Sequence, residues 1–393
     1  DESKSLGRIN NTAIKLSPYN LFDKKKITFT SIEFQDAKIN FNLKNLDEYK
    51  KFYTKKFDLM PINLKKGEIS FSDDAKHVAT IEDVNLKYKF NNNIATMVLK
   101  GGLLGDKIYI NLKNKKDFSK TFVLKLSALN LFTEIELPNS SSGKSIADGN
   151  VLLKKGKNRI AGIFDYKDEK IIVKQANLRN DFLDGKFNGE IEFLPYFDFN
   201  LNVDLNSINF NRLYSSLITL NEENKKNLFK INKKINGKLS LSSDKIYSSY
   251  NLVKSFESRI KFNNGNILVE QFLINLGKLG AADILGAFNN DKKFTNFKYE
   301  SNIFMDNQKK FLSKFGIYDK KNISSNLFIS GNFDLQNIRN SFYEISNNEK
   351  FNNEDVNFIE QEFSDFMLID GYKSLFRFPK FKEFIKSITS EVN

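Results

Sequence analysis

The sequence predicts a mainly β chain, an elongated, curved antiparallel β-groove built from degenerate meander repeats with short amphipathic helices. Three observations carry that expectation. Segments that alternate apolar and polar residues recur along most of the 393 residues, the period of a half-buried strand. Turns rich in Asn, Asp and Gly separate them, rather than long crossover helices, which disfavours a doubly wound nucleotide fold. The chain also carries 39 Phe and 14 Tyr against 4 Met and no Trp, and aromatic side chains favour pleated surfaces.

Taken in order, Ile14 and Leu16 alternate before Pro18, which argues against a helix there. Ile32 and Phe34, then Ile39, Phe41 and Leu43, read as paired sheet segments. From Leu46 to Phe57 the period changes, and Leu46, Tyr49, Phe52 and Tyr53 form one side of a short helix. Strands return with Ile69 and Phe71, with Val84 to Phe90, with Ile108 to Leu112 and with Phe122 to Leu126. Pro138 to Asp148 is Ser- and Gly-rich and reads as a linker. Val151 to Leu153 and Ile160 to Tyr166 flank a Lys-Gly-Lys-Asn turn, and Ile171 to Val173 and Phe187 to Phe193 follow.

Phe199, Leu201, Val203 and Leu205 then alternate almost strictly with Asn and Asp before a helical segment from Ile208 to Leu217. The same strand-then-helix order is expected at Phe297 to Phe315, at Leu327 to Ile345 with its helix over Ile338 to Ile345, and approximately at Asn40 to Phe57. Such units of unequal length are degenerate repeats rather than a regular solenoid. Glu222 to Asn236 is a polar, Lys-rich connector, and Asp355 to Ile388 holds two helical segments separated around Gly371 and Pro379. The expected divisions are 1–137, an N-terminal β-groove portion; 138–148, a linker; 149–345, repeated β-groove units; and 346–393, a helical segment.

The clearest unit runs from Phe256 to Phe288, three strands joined by an Asn-Asn-Gly turn and by Leu276-Gly277. Phe256, Ser258, Ile260 and Phe262 share one face, and Glu257, Arg259 and Lys261 the other. On the second strand Leu268, Phe272, Ile274 and Leu276 are expected to continue the apolar side, interrupted by Glu270.

Composition bounds the partners. The net charge of +13 arises from 61 basic and 48 acidic residues. Only seven of the basic residues are Arg, and the Lys are dispersed with no recognition-helix pattern, so nucleic acid is not the expected partner. With no Cys there is no disulfide or thiol chemistry, and no apolar run reaches about 18 residues, the length of a membrane-spanning helix.

No catalytic signature stands out. His77 is the sole histidine and reads as a turn residue, and Asp73 and Asp74 lack the ligand spacing of a calcium loop. Gly101 to Asp106 lacks the Gly-Lys-Ser/Thr ending of a phosphate loop. Ser127, Ser216 and Ser258 have no sequence-defined acid or base partner, and Glu257 and Glu270 read as solvated. The expectation is a non-enzymatic protein without a cofactor or metal.

An apolar sheet face is stable only when another layer, a helix or an apolar ligand covers it. Asn264-Gly265-Asn266-Ile267, Leu276-Gly277-Lys278-Leu279-Gly280 and Leu285-Gly286, with Lys234 to Leu239 before them and Phe297 to Phe315 after, resemble the AsmA-like family of Gram-negative envelope proteins. Residues 149–217 look like a second such unit, and the resemblance extends from about residue 10 to residue 345. It implies a periplasmic protein held at the inner membrane by an N-terminal anchor, transferring phospholipid or another acyl lipid along a β-groove in outer-membrane biogenesis. An outer-membrane or periplasmic protein partner is implied as well. On that reading Phe199, Leu201, Val203, Leu205, Ile260, Phe262, Leu268, Phe272, Ile274 and Leu276 line the groove. Read as core, the same residues fit a β-rich scaffold or assembly factor that binds protein.

Overall fold

Period-two alternation is realised as pleated sheet almost wherever it occurs. The computed structural model describes residues 7–21, 29–45, 48, 61–73, 76–91, 94–103, 105–115, 119–138, 145–168, 170–192, 197–219, 233–248, 251–291, 294–318, 325–335, 337–368, 371, 374 and 377–391. The helix expected over residues 46–57 and most of the connector at 222–236 lie outside these. The chain divides into two units, Asp1–Asp168 and Glu169–Asn393. Each is an open, mainly antiparallel sheet.

The first unit holds β1 (Gly7–Arg8), β2 (Asn11–Leu16), β3 (Phe29–Gln35), β4 (Lys38–Asn42), β5 (Ile62–Asp73), β6 (Lys76–Asn91), β7 (Ile94–Leu103), β8 (Asp106–Asn114), β9 (Lys120–Leu126), β10 (Leu131–Leu137), β11 (Ser145–Lys155) and β12 (Asn158–Lys167). From β5 to β12 each strand pairs antiparallel with the next. β3 and β4 both pair parallel to β5, and so lie end to end along one of its edges. β11 begins at Ser145, inside the stretch expected to be a linker, and pairs directly with β10. Residues 101–103 are strand, paired to β6 and β8, and form no phosphate-binding loop.

One face carries the core. Leu64, Leu86, Leu99, Ile110 and Leu124 follow one another across five strands. Leu64, Leu99, Ile69, Ile81, Val84 and Ile108 are buried in that cluster. At the start of the sheet the Glu33 side chain is only 6% exposed, and its carboxylate lies 2.9 Å from Lys65 Nζ and 3.4 Å from Lys15 Nζ. Gln35 Nε2 donates to it at 3.0 Å. The bond from Gln35, and then the two lysines, lower its pKa from the ordinary 4.5 to about 2.

The second unit holds β13 (Lys170–Arg179), β14 (Leu183–Glu192), β15 (Asp198–Asn209), α1 (Phe210–Ile218), β16 (Gly237–Ser243), β17 (Ile246–Tyr247), β18 (Ser255–Asn263), β19 (Asn266–Asn275), β20 (Gly280–Asp291), β21 (Phe294–Met305), α2 (Gln308–Lys314), β22 (Asn326–Asp334), β23 (Arg339–Asn347), β24 (Glu349–Lys350), α3 (Asn353–Leu368) and α4 (Phe378–Glu391). Asn209 and Asn307 start α1 and α2 by accepting from the Arg212 and Lys310 amides, at 3.0 and 2.9 Å. β16 and β17 pair parallel to β15, so the antiparallel expectation fails at one crossover in each unit. In the second unit the strand-then-helix order of β15 and α1 precedes that parallel return. After α2 the chain returns antiparallel, as β22 against β21.

The expected helix over Ile338 to Ile345 is instead strand β23. Its register with β22 slips between Ser330 and Gly331, leaving Tyr343 as an extra residue. The bulge separates Phe342 and Ile345 by three residues, and with Ile338 four residues before Phe342 the spacing imitates a helical period. Pro379 lies in the first turn of α4, where its missing N–H costs nothing, rather than between the two helices.

Because the Glu33 carboxylate is more acidic folded than unfolded, its stabilisation is complete above the unfolded value and disappears as pH falls through the folded one. Denaturant titrations of the wild type and Glu33→Gln are therefore expected to differ most above pH 5 and to converge by about pH 2.

Candidate functional site

The second unit presents one apolar face whose rows run across its strands. Ile267, Phe288, Phe297 and Phe333 stand in register on β19, β20, β21 and β22. Phe262 of β18 faces Ile267, and Phe199 of β15 reaches Phe262 across β16, with ring centroids 5.3 Å apart. That contact crosses Gly237, where a Cβ would sit 2.6 Å from the Phe199 ring. The row continues with stacked rings, Phe288 on Phe297 at 4.4 Å.

The next row is Leu201, Leu239, Ile260 and Val269, then Gly286, Tyr299 and Gly331. A Cβ at Gly286 would lie 2.6 Å from the Phe297 ring, so this glycine leaves room for an aromatic neighbour. Tyr299 donates its hydroxyl to Asn340 Oδ1 at 3.1 Å, and burial pushes its pKa up to about 12. Val203, Leu241, Ser258, Phe272 and Ile284 make a third row. Ser258 is buried and donates Oγ to the Leu241 carbonyl at 3.1 Å, a satisfied core hydroxyl.

Cover is unequal along these rows. Leu205, Ile208, Ile246 and Phe256 form a buried cluster against which Phe210 and Leu213 of α1 pack. Far across the sheet, Ile345 and Ile359 join β23 to α3. Phe363 of α3 meets Phe333 and Phe342 edge-on at 6.1 and 6.4 Å, and Phe366 stacks on Phe384 of α4 at 5.0 Å. Between these covers Phe199, Leu201, Ile260 and Phe262 stay half-buried. Among the described residues α1 lies mainly against β15 and β17, and α3 mainly against β23.

Of the ten residues expected to line a groove, Phe199, Leu201, Val203, Ile260, Phe262, Phe272 and Ile274 share this face and are half-buried. Leu205 and Leu276 share it but are core, 3% and 6% exposed. Leu268 does not share it. It pairs with Lys261 on the wet face and is 43% exposed. The register slips between Arg259 and Ile260, and Glu270 is the extra residue, so the alternation that puts Phe272 and Ile274 inward puts Ile267 and Val269 inward and turns Leu268 out. Sequence reasoning missed Phe288, Tyr299 and Phe333, although the alternation of Phe297 and Tyr299 signals their strand's inward side.

Chemical groups do not converge here. Among the described residues no three His, Asp or Glu side chains gather as a metal site, and His77, Glu257 and Glu270 are exposed. Among the described residues no helix is long and apolar enough to cross a membrane. No protein-family model matches the chain, and no curated protein matches it either.

Gly237→Ala is expected to drive a methyl group into the Phe199 ring and the Phe199 carbonyl. An overpacked site of this kind costs about 1–3 kcal/mol, to be read as a lower denaturation midpoint with an unchanged m-value.

Proposed function

We propose that the protein handles lipid, holding acyl chains against the half-buried rows of its second unit in a curved β-groove. The observation that carries this reading is an apolar face left half-buried away from its helix covers, with Phe199, Leu201, Ile260 and Phe262 on it. Such a face is unstable against water. An acyl chain laid across it removes both surfaces from solvent, about 0.8 kcal/mol per methylene. The polar inclusions Ser258 and Tyr299 already have protein partners, so an apolar ligand leaves neither group unpaired.

The sequence motifs around Asn264 to Gly286 extend the proposal. Their resemblance to the AsmA-like proteins favours a periplasmic protein held at the inner membrane that moves phospholipid in outer-membrane biogenesis and needs no catalytic site or cofactor. A second reading, a scaffold that binds protein, draws on a different observation. All six residues of β2 are exposed, with Ile14 and Leu16 at 54% and 53%, and among the described residues β2 pairs with β3 alone; an edge strand of this kind accepts a partner's strand.

Native mass spectrometry with lipid extraction separates the two. Lipid retained in stoichiometric amount is expected, and Ile260→Asp with Phe262→Asp should lower it at least tenfold while near-ultraviolet dichroism stays native. Leu268→Asp, on the wet face, should leave it unchanged. A folded wild type that carries no lipid and takes none up from vesicles would sink the lipid reading.

A further inference from the structure

The face of the first unit opposite its core carries an ordered charge pattern. Register aligns Lys100 of β7, Tyr109 of β8, Lys125 of β9, Phe132 of β10, Lys154 of β11 and Arg159 of β12 in one row across six strands. The row holds four cations, two rings and no carboxylate. Strands lie about 4.8 Å apart, so lysines on alternate strands recur about every 10 Å.

The rings hold two of the lysines in place. Lys125 Nζ lies 5.7 Å from the Tyr109 centroid and 5.6 Å from that of Phe132, and Lys154 Nζ lies 5.8 Å from Phe132. Cation–π contacts of this kind orient an ammonium group without neutralising it. All four cations are exposed, and among the described residues none of them forms an ion pair. Beside the row stand Glu134 and Glu136 on β10, with Glu136 engaged by Lys115 at 3.4 Å, and exposed Glu82 on β6, which pairs with Gly102 two residues from Lys100.

We infer that this row is a docking surface for an anionic lipid bilayer, against which the wet face of the first unit lies. A single nucleic-acid strand would need ring faces free for base stacking, and lysine ammonium groups sit over Tyr109 and Phe132. The row lies across the broad face of a sheet, which suits an extended layer of headgroups, each nearby lysine contributing roughly 1 kcal/mol. This inference does not depend on the lipid held by the second unit.

The test is co-sedimentation of the full chain with phosphatidylglycerol–phosphatidylcholine vesicles and with phosphatidylcholine alone. Binding to the mixed vesicles only, weakening as salt rises, is expected. Lys100→Gln, Lys125→Gln and Lys154→Gln together should weaken it about 100-fold, and the triple Arg replacement should restore it. Lys309→Gln, Lys310→Gln and Lys314→Gln, the same charge loss on α2, should change it little. Three outcomes would overturn the inference: equal loss in both Gln triples, no binding by the folded wild type, or tighter binding to single-stranded DNA than to the mixed vesicles at the same salt.

Discussion

The pleat is the constraint on which the rest of this structure depends. A strand paired on both edges has no backbone freedom left, and its side chains must leave alternately to opposite faces. When every strand alternates apolar with polar residues, pairing alone builds one dry side and one wet side across the sheet. The aromatic row from Phe199 to Phe333 and the cationic row from Lys100 to Arg159 both come from this one rule, applied to the dry face of one unit and the wet face of the other.

Cover determines what an apolar face becomes. Where α1 lies against Leu205, Ile208 and Phe256, and where Ile359 of α3 meets Ile345, the face is ordinary core. Elsewhere the same residue types are half-buried, and the difference lies in what stands opposite rather than in the side chains. Glycine shapes this middle stretch by absence, since Gly237 lets Phe199 cross a strand to Phe262 and Gly286 receives the Phe297 ring. The edges differ too. Glu360 of α3 accepts from the Phe342 amide on β23, whereas β2 pairs, among the described residues, with β3 alone.

Charge follows the same geometry. A net charge of +13 reads in sequence as scattered lysine, because cations that are neighbours in the sheet come from strands many residues apart. Lys100, Lys125 and Lys154 form one row only once the register of β7 to β12 is known. The Glu33 cluster is of the same kind, drawing Lys15, Gln35 and Lys65 from three different strands.

The sequence by itself determined the class of the fold, most of its strands and the two helices after Ile208 and Asn307, because the change of apolar period from strand to helix is a local signal. It identified the face that holds Phe199, Ile260 and Phe262, since strict alternation there reflects the pleat without interruption. The tertiary structure decided everything that a single extra residue can invert. The bulge at Glu270 turned Leu268 outward, and the bulge at Tyr343 made a strand resemble a helix, because a bulge is defined by the partner strand and leaves no mark in local composition. The parallel returns at β5 and β16, and the division of the apolar face into covered and half-exposed parts, were likewise set by contacts between segments far apart in the chain.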